Sequence, residues 1–187
     1  MKKLATLLLC ISLLFVASIT YANDITLKDC RIGPIGCGDA FDMGQMNDLF
    51  GNLIKPAGAA NEYGSRLMFL LFHKSFVEVC DNRLHEIYVY SGYANNGVVL
   101  STPRGIVVGD NLDKVLRLYG QPTFASHYKK DKDYDHARDS YVYTSSDFRN
   151  RLSFTVNSDT NQVEYISTKQ KISVVVKENG KTHKIIF

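Results

Sequence analysis

An α+β fold is predicted for this chain: two tandem repeats, each a short helix packed on an antiparallel sheet, followed by a C-terminal β-hairpin. Three observations carry the prediction. The segment Gly105 to Pro122 spells out both ends of an amphipathic helix. A segment ending in Leu49-Phe50-Gly51 repeats that grammar upstream. Each helix is then followed by β-rich, often alternating runs, and the last two of these flank Asn179-Gly180. The expected boundaries are a leader at 1–22, repeats at 23–95 and 96–168, and the hairpin at 169–187.

The leader comes first. Met1-Lys2-Lys3 is a short positive start, Leu4 to Ile19 an apolar run, and Thr20-Tyr21-Ala22 places small residues where a signal peptidase reads. Cleavage is expected before Asn23, giving a periplasmic or secreted protein with no remaining membrane span. The run falls short of the roughly 20 apolar residues of a spanning helix. Cys10 lies inside it rather than after it, which argues against lipidation. Removing Lys2 and Lys3 from 22 basic residues leaves 20 against 19 acidic ones. So balanced a chain has no global field to attract nucleic acid, and no such partner is expected.

Cys30, Cys37 and Cys80 follow the leader. In an oxidising compartment Cys30 and Cys37 can close a small loop, with Cys80 left over. Free, partly buried thiols are the alternative, and a zinc site lacks a fourth ligand.

The first helix is expected over Asp42–Gly51, with Asp42 and Gln45 as a capping box and Met43, Met46 and Phe50 on one face. Strands are expected at Arg66–Phe72, Ser75–Cys80 and Leu84–Tyr90, with a turn at Asp81-Asn82. In the second helix Leu112, Val115, Leu116 and Tyr119 fall at i, i+3, i+4 and i+7. Asp110 is expected to cap it, Gly120 to end it and Pro122 to prevent its resumption. Gly109-Asp110-Asn111 lacks the glycines and lysine of a phosphate cradle. A polar stretch, Ser126 to Asp139, leads into strands at Ser140–Thr144, Arg151–Val156 and Gln162–Ile166, with a turn at Asn157–Asn161. Asn179-Gly180 between two β-rich runs is a strong hairpin signal.

Ile106-x-x-Gly109, Val115 in mid-helix and the Tyr119-Gly120-x-Pro122 ending resemble the repeat of the BamE/SmpA-like envelope proteins. A tandem pair in a chain of this size is similar to the β-lactamase-inhibitor-protein architecture. That resemblance implies helices on one face of antiparallel sheets and an open sheet surface that binds partner proteins. It covers the second copy better than the first, and it carries over no functional residue.

Chemistry is sparse. Asp131, Asp133, Asp135 and Asp139 mimic a calcium loop, but His136 stands where glycine is needed and Val142 where the closing Glu belongs. His73, His85, His127, His136 and His183 form no paired ligand motif, and no serine sits in a nucleophile elbow. No catalytic, cofactor-binding or metal residue is therefore assigned, and no enzyme or cofactor is expected. Tyr88 with Tyr90, and Tyr141 with Tyr143, share strand faces and are candidate interface residues, since tyrosine buries area at low entropic cost. The expected function is non-catalytic binding of a protein or envelope component through an exposed sheet face. A small-ligand or cell-wall module using the cleft between repeats is the alternative, and an unrecognised hydrolase the third.

Overall fold

The computed structural model describes residues 24–51, 54–56, 66–70, 74–171, 173–178 and 181–186, with backbone alone for the strands at 54–56, 66–70, 173–178 and 181–186. The expected leader and His73 lie outside the described residues.

The chain opens with Ile25 in the core and a 3-10 turn, Leu27–Asp29. A tight hairpin follows, β1 (Arg31–Ile32) and β2 (Ile35–Gly36). Gly33 turns it with a φ of +58°, and a Cβ there would press to 3.2 Å against the Val99 carbonyl and the Leu100 side chain. Its N–H instead donates to the Ser101 carbonyl at 2.7 Å, docking the hairpin tip on the segment that joins the two halves.

Helix α1 (Met43–Phe50) is capped by Asp42, whose side chain accepts from the Gln45 N–H. Its buried face is Met46, Leu49 and Phe50; Met43, expected on that face, is exposed in the first turn. Strands β3 (Ile54–Pro56), β4 (Arg66–Leu70), β5 (Phe76–Cys80) and β6 (Arg83–Val89) follow as an antiparallel meander. Asp81 and Asn82 both take positive φ, the geometry of the tight hairpin turn expected there.

Helix α2 (Leu112–Tyr119) buries Val115 and Tyr119. Its cap is Asn111, which accepts from the Asp113 N–H, and not Asp110 as expected. The Asp110 carboxylate is already engaged by the Val107 N–H and by Lys114 Nζ, each at 2.8 Å. Strands β7 (Phe124–Tyr128), β8 (Arg138–Thr144), β9 (Asn150–Asn157) and β10 (Gln162–Gln170) form a second meander. The polar stretch from Ser126 thus begins as a strand, and its loop proper is 129–137.

The eight strands make one antiparallel sheet in the order β3-β4-β5-β6-β10-β9-β8-β7. The last strand of each meander meets the other at the centre, pairing Val89 with Ile166 and Ile87 with Thr168. Val77, Ile87, Val89, Leu152, Phe154 and Ile166 share one face, and their buried cluster includes Met46 and Phe50 of α1 and Val115 and Tyr119 of α2. Both helices therefore cover the same face, and the two halves share one core. The described residues are α+β, with two α-helices on an antiparallel sheet framework. Strands β11 (Ser173–Glu178) and β12 (Lys181–Ile186) form a separate two-stranded sheet, not an extension of the large one. Among the described residues no helix is long and apolar enough to cross a membrane.

Candidate functional site

The helix-free face of the sheet is set by strand alternation, which gives its residues opposite directions to the core set. Register stacks them in rows across β5, β6, β10 and β9. One row runs Phe76, Tyr88, Ser167, Ser153. The next runs Glu78, Glu86, Lys169, Arg151. Glu86 is buried and receives both cations, Arg151 and Lys169, each at 3.3 Å.

Aromatic rings connect the rows. Phe76 stacks on Tyr88 with centroids 4.1 Å apart and planes 18° from parallel. Tyr88 lies 6.1 Å from Tyr165, and Tyr165 lies 4.7 Å from Tyr90. Burial pushes the Tyr88 phenol up to about 12, with the Glu86 carboxylate adding to the shift. Tyr90 is also raised, by burial first and then by the neighbouring Tyr134. These phenols stay protonated across the physiological range and act as hydrogen-bonding groups.

At the Tyr90–Tyr165 end the loop 129–137 stands beside the sheet and encloses a cleft of about 920 Å³, which Lys74, Lys130, Tyr134, His136 and Glu164 also line. Glu164 is set by a bulge in β10, between Val163 and Tyr165. His136 bridges two carboxylates, with Nδ1 2.6 Å from Asp135 and Nε2 2.5 Å from Glu164. Hydrogen bonding to Asp135 raises the imidazole above its ordinary value, Glu164 assists, and partial desolvation opposes. The Asp135 carboxyl is lowered in turn. Asp131 accepts from the Asp133 and Tyr134 N–H groups, and Arg138 lies 3.2 Å over the Tyr134 ring centre. Loop and sheet are thus joined by an imidazole between carboxylates and a guanidinium on a phenol ring.

The structure divides the four candidate tyrosines. Tyr88 and Tyr90 lie on the helix-free face as half-buried members of the aromatic row, Tyr88 inside it and Tyr90 at its cleft end. Tyr143 is a correction: it is wholly buried, packs on Tyr119 and Phe154, and donates its O–H to the Gly120 carbonyl at 3.0 Å. Tyr141, on the same side of β8, packs partly buried against that core. Its register opposite Phe154, with Tyr143 opposite Leu152, turns both rings to the helices. Tyr165, Tyr134, His136 and Glu164 also belong to the site; no local motif marks them, because they meet only through the β10 bulge and the 129–137 loop.

Cys30, Cys37 and Cys80 are buried thiols. The calcium-like carboxylates are dispersed: Asp131 faces Arg138, Asp135 faces His136, and Asp139 takes His127 and Ser158. No cluster of three metal-ligating side chains occurs among the described residues. His85 is fully buried in β6. Compared with protein-family models, curated proteins and solved structures, the chain matches none.

Proposed function

We propose that this chain is an exported, non-catalytic binding protein whose partner, a protein or other envelope macromolecule, docks on the helix-free face of the sheet. The observation that carries the reading is the aromatic row Phe76-Tyr88-Tyr165-Tyr90, which ends in an open cleft on the face that neither helix covers. Rigid rings flanked by charged side chains match the composition of binding hot spots.

The reading includes a duplication, with units at 23–95 and 96–168 ahead of the hairpin at 169–187. Its support is local. Both helices have eight residues, both end at a glycine with positive φ (Gly51 at +77°, Gly120 at +74°), and each precedes a four-stranded meander.

The cleft supports a second reading, a small ligand held between Tyr90, Tyr165 and the His136 loop. One experiment separates the two. A photo-crosslinking residue replaces Tyr90 in one variant and Met43, exposed on α1 on the opposite side of the sheet, in another, and both are irradiated in the producing cell. A macromolecular adduct at Tyr90 alone supports partner docking, and a small mass increment there supports the ligand reading. Equal adducts at both sites, or none at either, refute a site on this face.

A further inference from the structure

We propose that Cys30 and Cys37 form an intramolecular disulfide that fastens the N-terminal hairpin to the seam between β6 and β10. The inference rests on the hairpin and is independent of the binding surface.

The β1–β2 register pairs Ile32 with Ile35 and Arg31 with Gly36, so Cys30 and Cys37 are the next residues facing each other at its open end. The Cys37 N–H donates to the Cys30 carbonyl at 2.9 Å, while the Cys30 N–H turns back to the Leu27 carbonyl at 3.1 Å, so a single backbone bond joins the two residues beyond the ladder. The side chains converge as well. Cys37 Sγ lies 3.7 Å from the Thr168 hydroxyl on β10 and 3.3 Å from the His85 carbonyl on β6, while Cys30 Sγ lies 3.7 Å from the Arg151 carbonyl on β9. Bonding the sulfurs gives up only these weak S–H contacts.

Access and selectivity are also present. Cys37 borders a cleft of about 780 Å³ lined also by Lys28, Arg31, Asp39, Arg83 and Lys171. Cys80 ends β5 on the side shared by Phe76 and Glu78, the helix-free face, with the sheet between it and the pair. Burial raises both thiols of the pair, so exchange in the folded protein is slow, and closure belongs to folding.

The oxidant is a low-molecular-weight disulfide. A Cys37 thiolate attacks one sulfur of glutathione disulfide, forming a mixed disulfide and releasing one glutathione thiolate. Cys30, deprotonated, then attacks Cys37 Sγ and expels the second. Two protein thiols become one disulfide, two electrons pass to glutathione, and two protons end on the two released glutathiones.

The test uses the full chain, unfolded and reduced, then refolded in glutathione buffers of graded redox ratio. It is next quenched with N-ethylmaleimide under denaturing conditions and weighed intact. The expected result is two fewer labels in oxidising buffer than after reduction, with the linked peptide joining Cys30 to Cys37. Cys80→Ser keeps the two-label loss, and Cys37→Ser abolishes it. Full labelling at every ratio, a link through Cys10 or Cys80, or glutathione retained on Cys37 overturns the proposal. If Cys37→Ser fails to refold, the wild-type peptide map and Cys80→Ser still decide.

Discussion

The placement of Tyr143 gives the sharpest single test of how the two sheet faces are assigned. Tyr143→Phe keeps the ring against Tyr119 and Phe154 and removes only the hydroxyl. The lost partner is the carbonyl of Gly120, the C-cap of α2, where the closing carbonyls have no helical partner of their own. A buried acceptor stranded in this way costs about 1–2 kcal/mol. For a chain of this length that lowers Tm by about 2–8 °C. Tyr143→Ala also removes the ring from a wholly buried cluster, at a cost of about 3–5 kcal/mol. Urea unfolding followed by circular dichroism reads both, as a lower midpoint at unchanged slope. A Tyr143→Phe protein as stable as wild type, with an alanine variant losing less than about 1 kcal/mol, would place this ring at the surface. It would also restore Tyr141 and Tyr143 to the interface.

Three further outcomes are expected. Gly51→Ala and Gly120→Ala each force a left-handed φ on a Cβ and should cost about 1–2 kcal/mol apiece in urea unfolding; a cost at one site alone counts against a duplicated unit. Tyr88 and Tyr119 are pushed up to about 12 by burial, whereas an unfolded tyrosine ionises near about 10. Their contribution is therefore complete below the unfolded value and lost as pH rises through the folded one. Phenolate absorbance should rise together with loss of the sheet signal, and ionisation at the free-tyrosine pH with the sheet intact would contradict this. His136 is raised by Asp135, so its clamp is complete below the ordinary imidazole value and released as pH climbs through the higher folded one. Tryptic cleavage at Lys130 and Lys132, taken relative to His136→Ala at each pH, should accelerate over that rise; a flat ratio argues that the clamp does not hold the loop.

Much of the fold could be read from local chemistry, because caps, glycine stops and turns act within a few residues. Asp42, Gly51, Gly120 and the Asp81-Asn82 turn all stand where such reading places them. The cap of α2 moved by one residue because Asp110 and Asn111 can both serve, and the choice fell to the competing claims of the Val107 amide and Lys114 on Asp110. Strand β7 was illegible since all five of its residues are exposed, leaving no alternation. The tyrosine pairs show the deeper limit. A period of two reveals that Tyr141 and Tyr143 share a face, but only pairing with Phe154 and Leu152 reveals which face. The cleft was hidden for a related reason. His136, Glu164 and Tyr165 come from a loop and a bulged strand, and a bulge leaves no mark in hydrophobic period.

The two halves divide their labour unequally. Each supplies four strands to one sheet and a helix to one shared core, which the inner strands of both halves build together. The second half is longer by some ten residues between helix end and last strand, and the surplus is concentrated in loop 129–137. None of those residues belongs to the buried apolar cluster, and a surface insertion of this size costs little in closure entropy. Yet the loop supplies one wall of the cleft, and the sheet wall opposite it, Tyr90 and Tyr165, comes from the two return strands that meet at the seam. On the other side of the same seam lies the Cys30–Cys37 hairpin, whose sulfurs reach His85 on β6 and Thr168 on β10. The middle of the sheet is where a change in either half is felt by the other, so a recognition surface gains most from being built there. An insertion that leaves the core untouched can then change what is bound without changing how the chain folds.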